Sequence, residues 1–223
     1  GYNSSFGLAA LYTNTTGSYN TAIGDTALFS NTTASNNTAV GYQAGYSGTT
    51  AANNAWVGYQ AGYSATGNYN TGMGDRALRS LTSAEKNSAF GMIALYSNTT
   101  GSYNTAHGAE ALFSNTTASQ NTAIGYQAAY STTTVGGITA IGAKALQSNT
   151  TGSFNTAVGG EVPSTQGAAL QSNTTGTYNT AMGVGALTSN TTGSYNSSFG
   201  ANALPLSTGE YNTALGARAL GSN

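Results

Sequence analysis

Read as a pattern of apolar and polar positions, the chain is one short motif written many times. A glycine recurs at Gly7, Gly24, Gly41, Gly58, Gly74, Gly91, Gly108, Gly125, Gly142, Gly159, Gly183, Gly200 and Gly216, and nine of the twelve intervals are 17 residues, two are 16 and one is 24. The residue before it is apolar in every copy except His107, and asparagine stands four before it in every copy except at Ile138. Asn20-Thr21-Ala22-Ile23-Gly24 is typical. Alternation with a period of two predicts a β-strand in which Thr21 and Ile23 share one face while Asn20 and Ala22 share the other. After the glycine come two variable residues and then an Ala-Leu pair, such as Ala27-Leu28 or Ala145-Leu146, which predicts a second short strand. The remainder, as in Ser148 to Ser153, is rich in Asn, Thr, Ser and Gly and predicts a turn. Each coil therefore reads as strand, glycine bend, short strand, polar turn. Asn20, Ile23, Gly24, Gly41, Gly125 and Gly159 represent its structural positions.

A fixed period of this length predicts a solenoid. Helical repeats need longer units, above about 30 residues, and fewer Gly, Thr and Asn. The expected fold is all-β, a parallel β-solenoid of about thirteen 17-residue coils over residues 1–223 as one repeat domain, cut from a longer fibre. At one strand spacing per coil it makes a rod on the order of 60 Å long. Composition alone points elsewhere, because only 5% of residues are charged and small polar residues dominate. Such chains are usually disordered. Strict register reverses that expectation, since stacked coils can bond backbone to backbone.

Several classes are excluded by composition. The five basic residues, Arg76, Arg79, Lys86, Lys144 and Arg218, are scattered, so no nucleic acid is expected as a partner. No apolar run is long enough for a membrane helix, so no membrane insertion is expected here. Cysteine is absent, which leaves no disulfide and no thiolate metal site. The acids Asp25, Asp75, Glu85, Glu110, Glu161 and Glu210 lie in different coils, and Asp25 and Asp75 stand about 14 Å apart at strand spacing. That is too far for a catalytic pair of carboxylates, so no enzyme and no cofactor are expected.

The motif Asn20-Thr21-Ala22-Ile23-Gly24 with Ala27, and again Asn155-Thr156-Ala157-Val158-Gly159, resembles the head repeats of YadA-like trimeric autotransporter adhesins, whose consensus is Ser-Val-Ala-Ile-Gly followed after two residues by alanine. Similar repeats occur in bacteriophage tail-fibre shafts and related trimeric surface fibres. The resemblance spans essentially the whole chain. It implies a left-handed parallel β-roll, three copies side by side, on an extracellular fibre at a cell surface or virion tail. It also implies a host-cell or surface receptor, a glycan or a protein. The coil is longer than the family's usual repeat, and Thr stands where the family has Val, which makes a more polar interior. Independently, one large apolar residue, a Leu and a few alanines per coil is a thin core, and a homotrimer would bury the small Ala face.

Residues that break the pattern are candidates for specificity. Trp56 takes a slot otherwise filled by Ala, Gly or Ser, and Tyr42, Gln43, Tyr59 and Gln60 lie in the adjacent third and fourth coils. Together these five form the expected binding patch, with Trp56 either exposed for stacking or acting as a structural plug. His107 occupies the apolar slot, where a core histidine is expected; it becomes a metal ligand only if three copies meet on a trimer axis. The tyrosines are expected to form stacked ladders. Asn-Thr-Thr at Asn14, Asn31, Asn98, Asn115, Asn149, Asn173 and Asn190 fits the N-glycosylation sequon, a match that arises for free in such a repeat. Residues 160–166 are an insertion expected to form a bulge. The leading function is thus a structural and adhesive fibre segment. The alternative is an ice-binding solenoid using the threonine ladder Thr21, Thr38, Thr71, Thr105, Thr122, Thr139, Thr156, Thr180 and Thr213, weakened if that face is buried with the Ile slot.

Overall fold

A computed structural model describes residues 1–206 and 209–221. The chain forms two compact units, Gly1–Ala109 and Glu110–Asn223. The first contains β1 (Ser4–Phe6), β2 (Thr21–Ile23), β3 (Thr38–Val40), β4 (Ala55–Val57), β5 (Thr71–Met73), β6 (Ser88–Phe90) and β7 (Thr105–His107). The second contains β8 (Thr122–Ile124), β9 (Thr139–Ile141), β10 (Thr156–Val158), β11 (Thr180–Met182), β12 (Ser197–Phe199) and β13 (Thr213–Leu215). Within each unit consecutive strands are parallel neighbours. Like residues pair, as in Thr21↔Thr38, Ala22↔Ala39 and Ile23↔Val40. Each unit is a parallel β-solenoid with one three-residue strand per coil, and no helix occurs among the described residues.

The second strand expected at Ala-Leu is replaced by a turn. Thr26 and Leu28 have φ of 53° and 49°, and Arg76 and Leu78 repeat this with 51° and 53°. Left-handed leucine is costly on its own. Here the cost is offset by burial, since Leu28 and Leu78 point into the coil. Intercoil bonds such as Leu28 N–H to the Ala44 carbonyl, 3.0 Å, add support. Stacked turns thus do what a second sheet would do, passing backbone hydrogen bonds from coil to coil. Threonine hydroxyls in the polar turn follow suit: Thr15 and Thr32 donate to the carbonyls of Thr32 and Thr49, each at 3.0 Å.

The strand alternation is as read, but its faces are the reverse of those expected. Ala22, Ala39, Ala89 and Ala106 point inward and are fully buried, whereas Ile23 is 43% exposed and Thr21 half-exposed. The interior therefore consists mainly of Ala, Leu and Asn, and the Ala face cannot be what a neighbouring copy covers. A lumen closed by so few residues per coil has no space for a column of Ile. It also contains backbone groups that must be bonded away from water. Asparagine supplies those bonds: Asn37 Nδ2 donates to the Ala51 carbonyl at 2.8 Å, while Asn37 Oδ1 accepts the N–H of Asn54 at 2.9 Å. Asn20, Asn54 and Asn70 repeat the arrangement.

The asparagines of the Asn-Thr-Thr turns form a second inner column. Asn31 donates to Asn14 Oδ1 at 2.8 Å and to its own turn at the Ala34 carbonyl, 3.2 Å. Asn173 repeats this with Asn149 at 2.8 Å and Gly176 at 3.0 Å. Asn31, Asn98, Asn115, Asn149, Asn173 and Asn190 are fully buried, so six of the seven sequons hide the atom a glycan would be attached to.

The glycine that sets the register is required by close approach. At Gly24, φ is +129°, and an added Cβ would lie 2.5 Å from the carbonyl oxygen and 2.7 Å from the carbonyl carbon of Gly41 in the next coil. Nothing flexible can yield there. Gly24→Ala is expected to destabilise the first unit by about 2–3 kcal/mol through backbone strain and overpacking, seen as a lowered Tm by circular dichroism. Substitution of the exposed Thr33 by Ala is expected to leave Tm nearly unchanged.

Candidate binding surface

Four of the five patch residues come together on the outside of the first unit. The residue after the register glycine points outward, which places Tyr42 and Tyr59 in one column, ring centroids 5.4 Å apart and 13° from parallel. The next residue is left-handed, with φ of 54° at Gln43 and 52° at Gln60. Those side chains form a parallel column in which Gln60 Nε2 donates to Gln43 Oε1 at 2.8 Å.

Trp56 is not part of that surface. It is 2% exposed and is the largest buried side chain. Room is made by three glycines around it: a Cβ at Gly45 would sit 2.6 Å from Trp56 Cδ1 and one at Gly72 3.0 Å from its Cε3, and one at Gly62 would collide with the ring. Gly45 and Gly62 occupy the position that is Leu28 and Leu78 in neighbouring coils, and Gly72 stands next to Trp56 in the column that is alanine in most coils. Of the two roles expected for Trp56, the structural plug is the one found.

Two arginines complete the patch that Tyr42, Gln43, Tyr59 and Gln60 begin. Arg76 lies over Tyr59, 5.1 Å from the ring centroid, and approaches Asp75 at 3.4 Å. Arg79 Nε donates to Gln60 Oε1 at 3.0 Å, and its guanidinium sits 5.3 Å from the Tyr63 ring and 5.9 Å from that of Tyr96. Arg79 thus joins the glutamine column to a second aromatic ladder, Tyr12, Phe29, Tyr46 and Tyr63, whose successive centroids are 5.5, 5.1 and 5.1 Å apart. Aligning coils in the sequence would have found both, because Arg76 and Arg79 fall in the columns of Gln60 and Tyr63. The result is a flat strip of stacked rings bordered by amide, guanidinium and carboxylate groups. No enclosed pocket exists among the described residues.

In the second unit the corresponding columns are more polar. Gln127 donates to Glu110 Oε2 at 2.6 Å, Gln147 to Gln127 at 2.6 Å, and Gln171 to Gln147 at 3.2 Å. The insertion expected as a bulge is a small hairpin: the Val162 N–H donates to the Gln166 carbonyl at 2.8 Å, and the Gln166 N–H donates back to the Val162 carbonyl at 3.0 Å. A half-buried ion pair, Lys144 to Glu161 at 2.8 Å, fixes its base.

His107 is not in the core. It stands on the exposed sheet face, edge-on to Phe90 with centroids 4.6 Å apart, and its Nε2 lies 3.4 Å from the Ser88 hydroxyl. Among the described residues no cluster of three His, Cys, Asp or Glu side chains suits a metal ion. Lys86 lies on the Tyr103 ring, 5.0 Å from its centroid, and the hydrogen bond to the Tyr103 hydroxyl at 3.2 Å raises the ammonium above its ordinary pKa.

Comparison with protein-family models, with curated proteins and with solved structures finds no match.

Proposed function

We propose that the chain is a structural and adhesive segment of an extracellular fibre. In it three copies of a left-handed solenoid pack side by side and present their aromatic and polar columns to a receptor, a glycan or a protein. The observation that carries this reading is the outer face of each sheet. Parallel sheets are normally covered on both faces, yet Ile23, Met73 and Phe90 in the first unit, and Ile124, Ile141, Met182 and Phe199 in the second, stand in the open, each between 36% and 43% exposed. An apolar stripe of this kind on each unit marks an association surface. A second copy of the chain is the partner that fits, because only a solenoid of equal coil spacing keeps step with the stripe at every coil. No acid, lysine or arginine stands in the Thr or Ile columns, so like faces meet without charge repulsion. Closed rotation of identical copies gives a finite assembly, and the motif's resemblance to trimeric fibres supports three. Adhesion then comes from many weak contacts, multiplied across coils and copies. On this reading the fibre is not an enzyme.

The test is to place a charge on the stripe. Ile23→Lys and Ile141→Lys leave the Ala, Leu and Asn interior untouched, so circular dichroism is expected to stay unchanged while light scattering reports a fall to single chains. An assembly that survives both substitutions would count against this face.

The exposure of the threonine column beside the Ile column supports a second reading, ice binding. Thr21, Thr71, Thr105, Thr122, Thr139, Thr156 and Thr180 are half-exposed and Thr38 is exposed, in register at one coil per strand. Self-association and ice binding compete for one face. Thermal hysteresis in a monomeric preparation would favour ice; its absence removes that reading.

A further inference from the structure

With no cysteine in the chain, consecutive coils have no disulfide to lock them. Tyrosines nevertheless stand on one another in register at a solenoid corner. In the second unit Phe154, Tyr178, Tyr195 and Tyr211 form one column, successive ring centroids 5.1, 5.1 and 5.0 Å apart and the last two pairs 6° and 3° from parallel. Left-handed backbone at this corner, φ of 56° at Tyr178 and 59° at Tyr195 and Tyr211, projects the rings outward. Their exposures are 49%, 48% and 73%. Not every exposed tyrosine is stacked in this way: Tyr69 lies between Asn53 and Lys86 in its column, and Tyr126 is followed by Ala143.

We propose that the Tyr178–Tyr195–Tyr211 stack is a site of oxidative coupling, in which dityrosine links staple one coil to the next. A peroxide-consuming haem peroxidase is the oxidant. Each of two phenols gives up one electron and its hydroxyl proton, and the two resulting radicals join through their ortho carbons. The hydrogens on those carbons then move to the oxygens and restore both phenols. One carbon–carbon bond forms, two hydrogens leave the pair of rings, and one hydrogen peroxide is reduced to two waters. The stack favours this outcome over other fates of a tyrosyl radical because its partner ring is held parallel and adjacent, at the effective concentration of an intramolecular neighbour. Exposure gives the oxidant access and leaves the rings free to rock together. Phe154 ends the column chemically, since it lacks a phenol. A staple between Tyr178 and Tyr195 closes a small loop across one coil, the role disulfides play in secreted folds.

The experiment treats the full chain with hydrogen peroxide and a haem peroxidase, follows dityrosine fluorescence, and maps the links by mass spectrometry of a peptic digest. The expected products join Tyr178 to Tyr195 and Tyr195 to Tyr211 with the loss of two hydrogens. The chain should run at single-chain mass on a denaturing gel, with a yield independent of protein concentration. Tyr195→Phe, which keeps the ring and the stack, is expected to abolish both links, whereas Tyr69→Phe leaves them. Coupling that maps equally to Tyr69 or Tyr126, that appears as chain dimers on the denaturing gel, or that fails to occur where free tyrosine is coupled, overturns the proposal.

Discussion

Trp56→Ala is expected to destabilise the first unit by about 3–5 kcal/mol, the cost of a large cavity in a core that cannot collapse onto it. Collapse is prevented by the coils above and below, whose backbones are held by intercoil hydrogen bonds at one strand spacing. The sharper expectation concerns rescue. Gly45 and Gly62 have φ of 62° and 61°, the same left-handed conformation in which Leu28 and Leu78 sit at the equivalent position. The backbone there already accepts leucine elsewhere. Trp56→Ala combined with Gly45→Leu, Gly62→Leu and Gly72→Ala rewrites these coils in the pattern of their neighbours, and is expected to recover most of the lost stability. Each glycine substitution alone, with Trp56 present, is expected to be damaging, because its side chain would occupy the space of the indole. Urea denaturation of the six chains separates these cases. If the fourfold variant is no more stable than Trp56→Ala, the indole and the side chains missing at Gly45, Gly62 and Gly72 do not exchange volume.

The second large effect is expected at the inner asparagine column. Asn37→Ala removes the acceptor of the Asn54 N–H and the donor to the Ala51 carbonyl in one step. Two buried polar groups left unbonded cost about 2–6 kcal/mol together. Asn37→Asp keeps the shape but turns the donor toward Ala51 into an acceptor. Only a protonated carboxyl can bond both partners, and burial also favours the neutral form, so its folded pKa is raised above the unfolded value. A raised carboxyl pKa means that the native bonding is complete below the unfolded pKa and is lost as pH rises through the folded pKa. The Asn37→Asp chain is therefore expected to be most stable in acid and weaker at neutral pH. Denaturation midpoints across that range check the sign; a midpoint that rises from acid to neutral pH contradicts it.

These two predictions rest on the part of the fold that sequence patterning states least clearly. The period of the register glycine and the alternation Asn-Thr-Ala-Ile are enough to place one strand per coil, in register, and all thirteen strands fall on that motif. Alternation says which residues share a face, but it does not say which face is inside. Hydrophobicity favours Ile inward, and that choice also put His107 in the core. What decides the matter is lumen size and hydrogen bonding: Ala fits, and Asn bonds the backbone of the turns. The Ala-Leu turn was illegible for a related reason, since a leucine with φ near 50° is stable only because stacked coils bury it. The patch was half legible. Tyr42, Gln43, Tyr59 and Gln60 lie where coil register puts them, while Trp56 belongs to the interior, as the glycines opposite it in the alignment already signal. Arg76 and Arg79 become visible only when coils are read as columns, where each continues a column of tyrosine or glutamine contacts.

The reading of the outer sheet face as an association surface is the claim on which the proposed function depends. Sedimentation equilibrium of the unmodified chain, repeated over a wide range of dilution, tests it most directly. The expected result is a single species at three times the chain mass of 22.3 kDa, persisting on dilution. A folded species at one chain mass throughout, with the Ile and Thr columns left open to water, contradicts it.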